Sequence, residues 1–207
     1  FPVAAESICA LMPPLLDRLR ASQTLRSGLF QADFLATLSG ESMVTLIYHR
    51  QLGTGWELAA RDLAADLGIQ IIGRSRGQKV VLDRDWLLEA FELNGRQLRY
   101  QQVEGSFSQP NGGVNRQMLG WACQQAAGLG GDLLELYCGN GNFTMALAPL
   151  FGKVLATELS KSSVHAAQYN MAANQIGNLA LVRASSEEIA DALAGRTVLK
   201  RMKDIDL

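Results

Sequence analysis

This chain has almost no excess charge: 19 Lys and Arg stand against 20 Asp and Glu in 207 residues, a formal net charge of −1. That balance excludes a wholesale basic nucleic-acid clamp and leaves room for a local basic patch. Cysteine is scarce as well. Cys9, Cys123 and Cys138 lie far apart without metal-ligand spacing, which argues against a disulfide framework and against a zinc or iron–sulfur site. Long apolar runs are also lacking. The longest uncharged stretch, residues 162–182, contains His165, Gln168, Asn170, Asn174, Gln175 and Asn178, so it cannot span a membrane. The first residues carry neither a basic segment nor a cleavable apolar run, so the expectation is a cytoplasmic protein with no metal. An initiator Met is absent, and a piece of a longer protein is expected. What remains is an ordinary globular composition, 48% hydrophobic and 19% charged, which excludes a disordered chain.

Two patterns divide the chain. In the first, Ile8, Leu11, Met12, Leu15, Leu16 and Leu19 fall on one helical face, with Pro13–Pro14 expected to break and restart the segment. Residues 34–38 and 43–48 are β-favouring runs around Ser39–Gly40–Glu41, a hairpin signal. Trp56, Ala60, Leu63 and Leu67 recur at helical spacing up to Gly68, a natural stop. Residues 69–72 and 79–82 read as two further strands separated by residues 73–77. That order suits a small α+β domain with helices on one face, residues 1–100. A boundary is expected between Asn94–Gly95 and Gly112–Gly113.

Beyond it, residues 101–207 alternate strictly. Pro110 and Asn111 are helix-start signals, and Val114, Met118, Trp121 and Gln125 continue a helix to about Gly128. Strands are expected at 132–137, 153–158 and 179–182, with helices after Cys138–Gly–Asn–Gly–Asn142 and over 160–174. Such alternation implies βαβ crossovers and a parallel sheet, an α/β fold.

The informative stretch runs a strand into Gly139-x-Gly141 and directly into a helix. Glycine there permits a tight turn and a close ligand approach. Glu158 ends the following strand, where a carboxylate can accept hydrogen bonds from both ribose hydroxyls. A dinucleotide fingerprint requires glycine three residues after Gly141, and Thr144 stands there. The pyrophosphate reading is weakened, and S-adenosyl-L-methionine, which has no phosphate, is the better candidate.

Ser108–Gln–Pro–Asn111 with Asn115, then Leu134–Glu–Leu–Tyr–Cys–Gly–Asn–Gly–Asn–Phe143, then Ala156–Thr–Glu158 resembles the S-adenosylmethionine-dependent 5-methyluridine RNA methyltransferases. The likeness is strongest to the branch that acts on the T loop of tRNA. Tyr100–Gln–Gln–Val and Ala167–Gln–Tyr–Asn–Met–Ala–Ala–Asn174 extend it over nearly the whole chain. The resemblance implies a Rossmann-like class I methyltransferase domain with an incomplete parallel sheet, preceded by the small α+β domain, which would contact RNA. It implies cofactor contacts by Gln109, Tyr137, Gly139, Gly141, Asn142 and Glu158, and tRNA as partner, with rRNA as the alternative substrate. Read alone, Tyr137 could be a packed strand-end aromatic and Asn142 a helix cap.

Uracil-C5 methylation needs a thiolate to add at C6 and a base to remove the C5 proton. Cys138 lies inside the glycine loop, on the cofactor side, and is not expected to be that nucleophile. The resemblance places both groups beyond Leu207, so the chain as given is expected to be inert and one edge of its sheet unpaired. Cys9 and Cys123 read as core thiols, and His49 and His165 as structural or surface residues. Arg74, Arg76 and Lys79 could meet RNA phosphates or belong to a solvated loop. Lys200, Arg201 and Lys203 fall in a tail of no readable fold. A non-catalytic cofactor- or RNA-binding module and a nicotinamide-dependent oxidoreductase domain are the competing classes.

Overall fold

The computed structural model describes residues 3–197, which leaves Lys200, Arg201 and Lys203 outside the described residues. The chain divides into two compact units, Phe1–Leu87 and Leu88–Leu207. The division falls earlier than the boundary expected near residue 100. The reason is a hairpin: β5 (Trp86–Leu93) and β6 (Arg96–Val103) turn at Asn94–Gly95, whose φ values of 51° and 75° suit a two-residue turn between twisted strands. The dipeptide expected to open a linker closes a hairpin that belongs to the second unit's core.

In the first unit, α1 (Glu6–Ala21) and α2 (Gln23–Arg26) precede β1 (Leu29–Ala36) and β2 (Ser42–Tyr48), then α3 (Thr54–Leu67), β3 (Gln70–Ser75) and β4 (Gln78–Val81). The four strands form one sheet in sequence order, antiparallel except for the parallel β2–β3 pair that α3 connects. Val44, Leu46 and Tyr48 alternate along β2 toward Leu15, Leu19, Trp56 and Leu63 of the helices, so the helices cover one face as expected. Gly68 stops α3 in the left-handed conformation, φ 64°.

Three details depart from expectation. The helix α1 runs unbroken through Pro13 and Pro14. Both prolines are exposed, and buried Leu15 and Leu19 hold the turns that follow. Strand β3 continues through Gly73, where a Cβ would come within 2.4 Å of the Trp56 ring and 2.6 Å of Leu52. Glycine is required there by the indole packed across the strand, not by a turn. Arg74 and Lys79 therefore oppose one another across the β3–β4 pair, and Lys79 bonds Asp85 at 2.7 Å.

In the second unit, α4 (Gly112–Ala126), β7 (Leu133–Glu135), α5 (Asn142–Leu147), β8 (Val154–Glu158), α6 (Lys161–Ala173), β9 (Leu179–Arg183) and α7 (Ser186–Leu193) follow the hairpin. Strands β7, β8 and β9 pair in that order, all parallel. Successive β8 residues Val154, Leu155 and Ala156 are all buried, because one face meets Met145, Ala146 and Ile176 while the other meets Val182 and Ile189. Among the described residues β7 and β9 each have β8 as their single partner strand. The Asn111 side chain caps α4 by accepting the Val114 N–H at 3.0 Å.

The face that α4 turns to the core carries Cys123, as expected of a core thiol. Val114, Met118 and Trp121 are exposed, Trp121 by 65%, while Asn115, Leu119, Cys123 and Ala126 face the core. Both stripes have helical spacing, and the buried one carries a polar residue whose amide finds a partner. Among the described residues no helix is long and apolar enough to cross a membrane.

Candidate functional site

A cavity of about 160 Å³ opens in the second unit where the glycine loop faces the β5–β6 hairpin. Gln109, Tyr137, Gly139 and Asn142 line it, together with residues that sequence reasoning did not select, among them Glu89, Phe91 and Glu135. Gly141 and Glu158 do not line it. They act one step behind the wall.

The loop departs from β7 through three left-handed residues, Tyr137 at φ 57°, Gly139 at 60° and Gly141 at 80°. Left-handed backbone is costly for an aromatic residue and marks a position that its surroundings hold in place. The Tyr137 ring is 71% exposed beside the cavity and its hydroxyl hydrogen-bonds the Ser186 hydroxyl, so it is not a packed strand-end aromatic. At Gly139 a side chain would meet open space, and at Gly141 a Cβ would lie 2.6 Å from the Met145 methyl. Backbone conformation alone demands the first glycine, and conformation plus packing the second.

Asn142 is the first residue of α5, with Gly141 as the cap, so its side chain is not the helix cap. It pairs instead with Asn115 in a reciprocal amide bridge, each Nδ2 donating to the other's Oδ1 at 2.8–2.9 Å. This bridge explains how Asn115 can be buried in α4. The Asn142 carbonyl accepts the Tyr100 hydroxyl at 3.0 Å.

Glu158 is committed to backbone. One carboxylate oxygen accepts the Gly139 N–H at 3.0 Å, and the other accepts the N–H groups of Leu159 at 2.9 Å and Ser160 at 2.7 Å. Three of roughly four lone-pair positions are used, which leaves room for one hydroxyl and not for the two expected. Its placement at the end of β8 is as expected; its leading job in this structure is to fix the glycine loop.

Glu135 ends β7 and accepts the hydroxyl of fully buried Thr144 at 2.6 Å. Burial pushes its carboxyl up to about 6, with the Thr144 hydroxyl pulling the other way. The residue that breaks the dinucleotide fingerprint thus holds a carboxylate at the cavity wall. A charged residue within an otherwise apolar strand, directly before a glycine loop, was the signal available for it in the sequence. Cys138 is 5% exposed, and burial together with the charges of Glu135 and Glu158 pushes its thiol up to about 12, so it stays protonated at neutral pH. Among the described residues no three His, Cys, Asp or Glu side chains gather as a metal site.

In the first unit, the Phe30 ring is 63% exposed and lies 4.5 Å from the His49 ring. Next to His49 in the chain, Arg50 donates to the Ser27 carbonyl at 2.6 Å and lies over the Tyr48 ring. This is an exposed aromatic pair beside a fixed guanidinium.

The tRNA (uracil-5-)-methyltransferase family model matches residues 1–207. The chain is 77% identical over 207 residues to the tRNA/tmRNA (uracil-C(5))-methyltransferase of Dechloromonas aromatica, and 70% identical to that of Aromatoleum aromaticum. All of the chain is covered in each, and it spans 57% and 56% of those two proteins. Among solved structures it resembles the Pyrococcus abyssi tRNA (uracil-54, C5)-methyltransferase, a complex with S-adenosyl-L-homocysteine. The TM-score is 0.59 at 14% identity, over 85% of this chain and 46% of that one. It also resembles the tRNA m1G37 methyltransferase of M. jannaschii, TM-score 0.51 at 16% identity, over 84% and 53%. At such identities the likeness establishes the fold, the Rossmann-like sheet of class I methyltransferases, preceded here by the small α+β unit. Matched by the family model along its entire length and by relatives of such high identity, the chain belongs to the tRNA (uracil-5-)-methyltransferase family.

Proposed function

We propose that the full-length protein transfers a methyl group from S-adenosyl-L-methionine to C5 of a uridine in the T loop of tRNA, and that the second unit holds most of the cofactor site. The observation that carries the cofactor reading is the Glu135 carboxylate at the wall of a cavity formed by a glycine loop. A negative group there attracts a sulfonium and an ammonium and repels a pyrophosphate. That separates S-adenosyl-L-methionine from a nicotinamide dinucleotide.

In this reading Gly139 offers its backbone to the cofactor, Gly141 lets the loop turn behind the wall, and Tyr137 lays its exposed ring beside the cavity. Gln109 and Asn142 offer amides from the α4 loop and the start of α5. Glu158 keeps one acceptor position for a ribose hydroxyl while it holds the loop. The bound cofactor supplies an electrophilic methyl group. No described residue is assigned as the nucleophile or the base: Cys138 is a protonated thiol. The first unit is assigned to RNA, with the exposed Phe30 ring able to stack on an unpaired base and Arg50 beside it.

The test is methyl transfer from labelled S-adenosylmethionine by the full-length protein to unmodified tRNA, with nucleoside analysis of the product. The expected result is 5-methyluridine at one T-loop position. Product on rRNA and none on tRNA would reassign the substrate, and cofactor binding without turnover on either RNA would make this a binding module.

A further inference from the structure

Among the described residues the outer edge of β6 has no neighbouring strand, yet backbone groups of Arg99 and Gln101 are paired with side-chain amides. Asn174 accepts the Arg99 N–H at 2.9 Å and donates to the Arg99 carbonyl at 2.7 Å. One helical turn earlier, Asn170 accepts the Gln101 N–H at 2.6 Å. The spacing explains why this works. Four residues of helix advance about 6 Å and two residues of strand about 6.7 Å, so asparagines at i and i+4 on α6 meet alternate residues of β6 in register.

The two asparagines differ in what else they touch. Among the described residues the Asn174 side chain bonds β6 and the α6 backbone. Asn170, fully buried, donates its Nδ2 to the carbonyl of Asn140 at 2.8 Å, the residue between the two glycines of the loop. The Asn140 side chain in turn donates to the Gln101 carbonyl at 3.2 Å. The loop is therefore strapped to the hairpin through two side-chain amides, of which that of Asn170 donates to one backbone group and accepts from another.

We infer that Asn170 is a positioning residue for the cofactor site: its amide sets the distance and orientation between the glycine loop and β6, and so the shape of the cavity between them. This rests on the cofactor reading given above. Asparagine is the residue that fits. Aspartate still accepts from Gln101 but turns an acceptor oxygen toward the Asn140 carbonyl, and leucine leaves both backbone groups unsatisfied in the core. Asn174 provides the internal control, because it makes the same strap to β6 without reaching the loop.

The experiment is titration of the full-length protein with S-adenosylhomocysteine, alongside thermal melting, for wild type, Asn170→Asp, Asn170→Ser and Asn174→Asp. Asn170→Asp is expected to raise Kd about tenfold, the size of one lost buried hydrogen bond. Asn170→Ser, which leaves room for a bridging water, should fall between Asp and wild type, and it carries the comparison if the Asp variant does not fold. Asn174→Asp is expected to lower the melting temperature while Kd stays within about twofold. In turnover, Asn170→Ser should raise KM for S-adenosylmethionine more than it lowers kcat. Wild-type Kd values in the Asn170 variants, or an equal loss of affinity in Asn174→Asp, would overturn the inference. Absence of binding by the wild type would instead overturn the cofactor reading beneath it.

Discussion

The two units solve the same packing problem with different materials. The first closes its sheet with a continuous apolar layer from Leu15 to Ile71. The second has apolar clusters too, but it fixes its working parts with side-chain amides: Asn115 to Asn142, Asn170 to Gln101 and Asn140, and Asn174 to Arg99. Among the described residues, the three non-glycine residues with left-handed φ, Asn94, Tyr137 and Gln175, also lie there. Apolar packing is tolerant and non-directional. Hydrogen-bonded straps are directional, and a loop that must hold left-handed residues at a cavity needs direction. The difference separates a unit built to fold from one built to hold a shape.

The largest expected effect breaks that shape outright. Gly141→Val places a β-branched residue at φ 80° with its Cβ 2.6 Å from the Met145 methyl. Backbone and packing costs together come to about 2–5 kcal/mol. Calorimetric melting should show that loss, and titration should show no S-adenosylhomocysteine binding. The counterpart in the first unit is Gly73→Ala, whose Cβ would press on Trp56. It should cost about 2–3 kcal/mol of stability, the upper half of the range for overpacking. Cofactor affinity in the protein that remains folded should be unchanged. A fall in affinity there would end the division of labour between the units.

A third test sharpens the electrostatics. Burial holds Glu135 at about 6 against an ordinary 4.5, so between these values the folded protein keeps a proton that the unfolded chain has lost. This group's contribution to stability is therefore fully present below 4.5 and is lost as pH rises through 6, on the order of 2 kcal/mol in all. Glu135→Gln should flatten that slope and raise the melting temperature at pH 7.5, while weakening cofactor binding. Wild-type affinity should fall as pH drops below about 6, where the carboxylate is neutralised. An unaltered pH slope in the variant would contradict the assignment. The smallest expected effect belongs to Cys138→Ser, since a thiol held at about 12 is not a nucleophile at neutral pH. Turnover should survive. Its abolition with fold and cofactor affinity intact would make Cys138 catalytic.

Local signals carried much of this architecture. Asn111 as helix cap, Gly68 as helix stop and the loop at Gly139–Gly141 are dictated by nearest-neighbour backbone chemistry, and each lies where the sequence points. Long-range partners decide the remainder. Gly73 is explained by an indole seventeen positions away in sequence, and the buried face of α4 by an amide that Asn142 supplies. Asn94–Gly95 carries a strong hairpin signal, but its meaning depends on strands whose packing partners arrive from α6. Of the candidate site, Gly139 lines the cavity where the glycine pattern points, Gln109 lines it on the strength of the resemblance alone, and Glu158 stands behind its wall. Glu135 and Asn170 were not legible, because their importance comes from Thr144 and from the β6 edge.

The central claim is that the cavity between the glycine loop and the β5–β6 hairpin takes S-adenosyl-L-methionine. Its most direct test is calorimetric titration of the full-length protein with S-adenosylhomocysteine and, separately, with NAD. Saturable one-site binding of S-adenosylhomocysteine, weakened by Glu135→Gln, and no heat with NAD is the predicted result. Binding of NAD without binding of S-adenosylhomocysteine would contradict it.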